Sequence, residues 1–554
     1  MPLNLTPNAA IYYHPDGYGT QKPRLMGRHA AGEGFLKGFV QHTQAKELYC
    51  YCPSRSMAKA FHEQVKGYGF HGPVRWVSEE RHATLAEVGN LFLPGPGLGP
   101  DAWLRRRLDQ RTYSLTGVTH TTASHGAMEA ILDLVEAPVQ AWDALICTSQ
   151  VVKQTVEALL TEREDYLRAR VGAHRFMRPQ LPVIPLGVDC IERRHDAAAR
   201  KRLRAELRIG DDEPVVLFVG RLSFHAKAHP VPMYLALDEA ARRFGRRVHL
   251  IQCGWFQNDF IERTFREDAR TFCPQVQHHF LDGRDPRYRV PVWSAADIFC
   301  SLSDNLQETF GLTPIEAMAA GLPAVVSDWN GYKDTVRDGV DGFRIPTRMP
   351  APGEGADLAW RHASGETTYD RYCGETSQLV SVDVKACADA FERLLTDPEL
   401  RALLGEAGAQ RARELFDWSV IVRSYETLWH ELNLRRIHKA ESVPRVGTHP
   451  AHPARPDPFT LFASYPTSHL RPETRLLATA DAKSRYRSLL DAGSVSFSDY
   501  VLPPAKSLSV VLQHFAEGAE LGPLLDSKSA GDARLTLTRA VHWALKYGLL
   551  EEAE

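Results

Sequence analysis

Short apolar runs alternate with amphipathic stretches over most of the chain. In the first part, Ala10–Tyr13, Leu48–Cys52, Val74–Val77, Asn90–Leu93, Ser114–Val118, Ala144–Cys147 and Val183–Leu186 read as strands. Between them, Ala58–Val65, Ala127–Val135 and Val151–Val171 carry helical periodicity. Apolar strands with no wet face, separated by helices, predict a parallel sheet covered on both sides. The pattern restarts after Asp189 with a helix at Ala197–Leu207. Strands are then expected at Val215–Val219, Val248–Gln252, Gln277–Leu281, Asp297–Leu302, Ala324–Ser327 and Phe343–Ile345. Two successive α/β units predict two Rossmann-like domains, 1–190 and 191–440, facing each other across a cleft. Ligands then bind outside the carboxyl ends of the strands.

Residues 348–380 interrupt the pattern with Pro, Gly and polar residues and read as an insertion or mobile loop. Helices resume at Val382–Leu395, Pro398–Leu415 and Trp418–Leu434. The stretch 441–458 is proline-rich, with five prolines and two histidines from Val443 to Pro458, and reads as a linker. Beyond it, 459–554 reads as a mostly helical extension (Glu473–Leu490, Ser507–Glu517, Ala533–Leu550). Its last helix could close a small winged-helix-like unit; packing on the catalytic body or mediating assembly are equal alternatives.

Composition adds constraints. A chain of 554 residues is too long for one core. Its 66 Lys and Arg nearly balance 68 Asp and Glu, so there is no nucleic-acid footprint. The one basic run, Arg105-Arg106-Arg107, could touch an anionic membrane surface, though a solvated helix face is the plainer reading. Nine cysteines lack metal-ligand spacing and read as small buried hydrophobes in a reducing compartment. The amino terminus has no signal-peptide pattern and no apolar run approaches a membrane span. A soluble, cytoplasmic protein is expected.

Chemistry concentrates between Asp304 and Pro323. A loop containing Glu308 and Gly311 leads from a strand into a helix expected to start with Thr313 at the N-cap and Pro314 behind it. Free N–H groups at that helix start attract an anion, and Gly311 lets a ligand approach the backbone. Thr313-Pro-Ile-Glu316 matches a capping box, which explains Glu316 structurally. Glu308 has no such explanation and could hydrogen-bond sugar hydroxyls.

The stretch Val292–Pro346 resembles the donor-binding region of the GT-B, family 4 retaining glycosyltransferases. Their E-x7-E signature matches Glu308 and Glu316, flanked by Ser294-Ala-Ala-Asp297, Ala317-Met-Ala-Ala-Gly-Leu-Pro323 and Gly339-Val-Asp-Gly342-Phe. The resemblance implies that Glu308 and Thr309, Phe310, Gly311 and Leu312 hold the donor sugar, and that Glu316 binds the ribose. It implies that Arg221, ending the first strand of the second domain, and Lys227 hold the diphosphate, at a spacing one residue longer than the family's usual one. Two fixed cations suit the charge that builds on a leaving diphosphate. No Asp-x-Asp pair occurs in the chain, which together with the cations favours catalysis without a metal. No cofactor is expected beyond a nucleotide-diphosphate sugar, of UDP or GDP, as co-substrate.

In the first domain, a lone His at a strand end is more often structural. The resemblance implies that His120 contacts the donor sugar near the reacting carbon. Gly27-Arg-His-Ala-Ala-Gly32-Glu-Gly34 follows the first strand, and Gly32 and Gly34 are expected near the diphosphate or acceptor. Acceptor choice is expected to lie with Gly17–His29. Val183–Asp189 resembles the family's hinge, and Trp418–Leu434 its closing helix. The expected activity is retaining hexosyl transfer to an unidentified acceptor. The alternatives are an epimerase or phosphorylase on the same fold, or a non-catalytic binding subunit.

Overall fold

The computed structural model describes residues 8–19, 27–447, 449–526 and 533–553. Contacts divide the chain into a unit of residues 1–455 and a unit of residues 456–554.

The larger unit holds two six-stranded parallel sheets of one topology. In the first, β1 (Ala10–Tyr12), β2 (Leu48–Tyr51), β3 (Val74–Val77), β4 (Asn90–Phe92), β5 (Ser114–Val118) and β6 (Ala144–Ile146) run in the order 3-2-1-4-5-6. In the second, β7 (Val215–Val219), β8 (Val248–Gly254), β9 (Val276–Asp282), β10 (Ile298–Ser301), β11 (Ala324–Ser327) and β12 (Gly342–Ile345) repeat that order as 9-8-7-10-11-12. The strand direction of winding reverses between β1 and β4 and again between β7 and β10, which opens a crevice at the carboxyl ends of each pair. Helices cover both faces: β10 and β11 are buried along their whole length. The two-domain α/β frame expected from the sequence is therefore present.

Val183–Leu186 is not a strand. Pro182 and Pro185 leave too few N–H donors for a ladder, and only isolated bridges join this stretch to β6, Cys147 to Val183 and Ala144 to Gln180. The hinge continues as Val188, which exchanges hydrogen bonds with Phe416 and Trp418. From Trp418 a helix runs to His438 across the first domain. Tyr425 and Trp429 pack there against Phe35, Phe39 and Phe92. Glu426 accepts hydrogen bonds from the Thr43 hydroxyl and the Gln44 amide, which fixes the helix in register.

The glycines after β1 do something other than expected. The helix begins at Gly27 and runs to His42, so Gly32 and Gly34 lie inside it. A Cβ at Gly32 would lie 1.9 Å from the Gly17 carbonyl oxygen, and one at Gly34 would lie 3.1 Å from the Trp418 indole. Cβ atoms at Gly38 and Gly187 would lie 2.5 and 2.4 Å from the same indole. Gly34, Gly38 and Gly187 form the slot that receives Trp418, while Gly32 packs on Gly17. The Gly17–His29 loop lies partly outside the described residues, from position 20 to 26.

The basic run is neither a solvated face nor a membrane patch. Arg105 is fully buried and donates to both carboxylate oxygens of Asp143 at 2.6 and 2.7 Å. Asp143 also accepts from the Leu115 and Gln140 amides, so its carboxylate is fully engaged, while Nε of Arg105 is left without a partner. Arg106 is buried too, and donates to the Ala451 carbonyl. The proline-rich stretch accordingly begins as a segment held on the first domain. Gln110 and Gln140 bond Glu441, Ser442 and Val443, and His452 stacks on Trp103. Residues 348–380, expected as a loop, contain the helices Ala356–Ala363 and Tyr369–Ser377.

The smaller unit is a three-stranded antiparallel sheet with helices packed on it. Arg475–Ala478 lies between Ala519–Glu520 and Leu550–Glu552. The expected helix Glu473–Leu490 is thus a strand followed by the helix Ala482–Asp491. The last strand pairs back onto the first, so the wing hairpin of a winged-helix unit is absent among the described residues. All nine cysteines of the chain are buried and unpaired, as small hydrophobes should be. Among the described residues no helix is long and apolar enough to cross a membrane.

Candidate functional site

The crevice of the second sheet lies where β7 and β10 end side by side, and both following loops carry the expected chemistry. After β7, Gly220 (φ 152°) turns the chain into Arg221 and a loop that ends at His229, before the helix Pro230–Phe244. After β10, the loop to Gly311 carries Glu308. Asn305 ties the loops together by donating to the His225 carbonyl, and Ser303 donates to that of Lys227.

Lys227 and Glu308 meet directly, Nζ to Oε2 at 2.5 Å. Burial alone would push the Glu308 carboxyl up, but the Lys227 ammonium, the Thr309 amide and the Tyr332 hydroxyl outweigh it and hold the carboxyl below its usual range. Burial likewise opposes the charge on Lys227, and Glu308 overcomes that and raises its pKa. The pair is therefore fully ionised at neutral pH. Arg221 is half-buried and donates to the Ala226 carbonyl and Gln307. Burial pulls its guanidinium down, against Asp370, Tyr369 and Glu308. Among the described residues no carboxylate lies within ion-pair distance of Arg221, so its charge is available to an anion.

The helix after this loop spans Leu312–Ala319, with Gly311 before it at φ 87°. A Cβ at Gly311 would sit 2.0 Å from the Tyr332 ring, so the position requires glycine sterically as well as conformationally. Phe310 is buried beside Phe416. The helix starts before Thr313, and no side chain caps it. The capping box is therefore not formed, and the Thr313 hydroxyl is buried without a partner. Glu316 instead takes Arg193, whose Nε and Nη2 both donate to Oε1 at 3.2 and 2.8 Å. Oε2 is left without a partner among the described residues.

The first domain closes against this loop. The Thr309 hydroxyl donates to the His120 carbonyl at 2.9 Å, and the Ser149 hydroxyl donates to the Thr309 carbonyl at 2.9 Å. His120 follows β5 and so reaches the cleft from the opposite wall. Gly32 and Gly34 lie inside the helix Gly27–His42, packed on Gly17 and Trp418.

Two contributors were not foreseen. Arg193, in the turn after Asp189, lies 123 positions from Glu316 and only the fold unites them. The helical insertion after β12 reaches over the cleft: the Tyr369 hydroxyl lies 3.4 Å from that of Thr121, and His362 stacks on His125 with ring centres 3.8 Å apart. Asp370 on the same helix faces Arg221 and His225. The aromatic and acidic composition of Tyr369-Asp-Arg-Tyr372 was the available signal.

Residues 199–351 match the family model described as Glycosyl transferases group 1. Over 275 residues the chain is 29% identical to D-inositol 3-phosphate glycosyltransferase of Nocardia farcinica, covering 49% of this chain and 57% of that protein. It is 31% identical over 158 residues to phosphatidyl-myo-inositol mannosyltransferase of Mycobacterium leprae, covering 28% and 33% of the two chains. The match thus spans little more than half of the first relative and a third of the second. Of solved structures, Anabaena HepE in complex with UDP aligns over 73% of this chain and 96% of its own, at 16% identity and a TM-score of 0.47. Arg221, Lys227, Glu308 and Glu316 all lie inside the stretch 199–351 that is similar to the group 1 glycosyltransferases, within a frame of two Rossmann-like domains as in the GT-B fold.

Proposed function

We propose that the protein is a retaining glycosyltransferase that moves a hexosyl group from a UDP or GDP sugar to an acceptor hydroxyl, without a metal. The observation that carries this reading is the Lys227–Glu308 pair at the switch point of the second sheet, beside the unpaired Arg221 and against the His120 segment. Arg221 and Lys227 take the diphosphate. As Lys227 turns to phosphate oxygens, Glu308 is released to accept hydrogen bonds from sugar hydroxyls. Thr309 to Leu312 line the sugar with backbone, and Oε2 of Glu316 receives the ribose hydroxyls.

Transfer proceeds on one face of the sugar. The bond from the anomeric carbon to the diphosphate oxygen breaks and a bond to the acceptor oxygen forms. The acceptor's proton passes to the leaving phosphate, so no protein base is required. The two cations stabilise the developing charge in a site shielded by the insertion. Both named relatives act on inositol derivatives, so inositol phosphate and phosphatidylinositol head the acceptor panel.

A thermal-shift panel of UDP-, GDP- and ADP-sugars tests the donor, because a ligand of the folded state raises its apparent stability by mass action. One nucleotide should raise the midpoint by several degrees at millimolar concentration, and product made with it should keep the donor's anomeric configuration. No shift with any of them, or inverted product, would remove the proposal.

A further inference from the structure

The segment returning from the closing helix does not lie flush on the first domain. It leaves a cavity of about 350 Å³, within the range of small-molecule sites. Its walls come from Val135–Val139, which lead into the amino end of β6, from Arg175 and Met177 after the helix Gln150–Val171, and from Ser442, Val443, His449, Pro450 and Pro453. The cavity therefore lies at the end of the sheet opposite the cleft.

Its charge is one-sided. Arg106 is only 8% exposed, its Nε has no partner, and among the described residues no carboxylate lies within ion-pair distance of it. Its one hydrogen bond goes to the Ala451 carbonyl, and its guanidinium lies over the Trp103 ring. Arg175 at the rim has no ion-pair or hydrogen-bond partner among the described residues. The one acid in the wall, Glu136, is paired with Arg163. Apart from Ser442 and His449, the rest of the lining is apolar or aromatic, with Val135, Val139, Met177, Pro450 and Trp103.

We infer that this cavity is a second ligand site, separate from the donor cleft, for a small organic anion with an apolar body. A buried guanidinium lacking an acid is costly unless an anion meets it, and the apolar wall rewards a ligand that carries more than a bare phosphate. An occupant would bridge the first domain and the returning segment.

Anilinonaphthalene sulfonate has the required shape and charge, and its fluorescence reports binding to the full-length protein. The expected result is saturable one-site binding, weakened about tenfold by Arg175→Ala and abolished by Arg175→Glu, since a charge-assisted contact is worth roughly that factor. Uncharged phenylnaphthylamine and inorganic phosphate should each bind at least tenfold more weakly. Arg175 is exposed and unpartnered, so both variants should keep the wild-type melting midpoint and its response to nucleotide sugar. Binding that does not saturate, that is unchanged in Arg175→Glu, or that is as tight for the uncharged dye would overturn the inference.

Discussion

The Lys227 ammonium and the Glu308 carboxylate neutralise each other in the cleft, 2.5 Å apart and both largely buried. A buried pair of this kind is costly to break from one side, because the remaining charge is left uncompensated. Glu308→Gln should therefore lose at least ~100-fold in turnover, and roughly 3 kcal/mol of stability because Lys227 is stranded. Combining Glu308→Gln with Lys227→Met removes both charges. The double variant should regain most of the stability and none of the turnover. Urea melts with initial rates of transfer check this, and parallel recovery of both quantities would show the pair to be merely structural.

Arg193 grips a single oxygen of Glu316 and leaves the other without a partner among the described residues, open to the ribose hydroxyls of the proposed donor. On that geometry Arg193 is a positioning residue: it holds the carboxylate in one orientation without touching the donor. Arg193→Ala should weaken nucleotide binding by about ten- to 150-fold, the range of one charge-assisted hydrogen bond. Glu316→Gln should do the same, and the double variant should be no worse than Glu316→Gln alone. Calorimetric titration with the bare nucleotide gives these values. Additive losses would mean that Arg193 contacts the ligand itself.

The Trp418 slot separates packing glycines from ligand-binding ones. Gly187→Ala and Gly38→Ala each drive a methyl group into the indole, and should cost about 1–3 kcal/mol by overpacking. Gly34→Ala, whose added carbon would stop 3.1 Å from the ring, should cost less. At concentrations where each variant is folded, nucleotide affinity should stay at the wild-type value. A selective loss of affinity in Gly34→Ala would return that residue to the diphosphate.

Most of the frame was legible because the central strands are apolar on both faces, so β7, β10 and β11 stand out as short unbroken runs. Val183–Leu186 misled for the same reason, since its hydrophobicity hides the loss of donors at Pro182 and Pro185. Glu308 and Lys227 were readable by motif, but their pairing was not, because 81 positions separate them. Thr313 fits a capping sequence, yet the helix starts upstream of it at Leu312, and Glu316 takes Arg193 instead. The role of Gly34 depended on Trp418, a partner that only the crossing helix delivers. Long-range complementarity of this kind leaves no local periodicity to read.

Asp304 gives the cleft a pH signature that can be measured without substrate. It follows β10, is 3% exposed, and its Oδ1 has no partner. Burial pushes its carboxyl up to about 7, against hydrogen bonds from the His229 amide and its own. A carboxyl whose folded pKa exceeds its unfolded value holds its proton more tightly in the native state. Its contribution to stability is thus full below about pH 4 and is lost as pH rises toward 7, levelling above that. Asparagine cannot ionise, so Asp304→Asn should lack this fall. The difference in unfolding free energy between the two proteins should grow in favour of the variant by on the order of 4 kcal/mol between pH 4 and pH 8. Urea melts of both proteins across that range measure it directly. Curves that stay parallel would show that Asp304 ionises normally, and that water or a cation reaches it in the folded cleft.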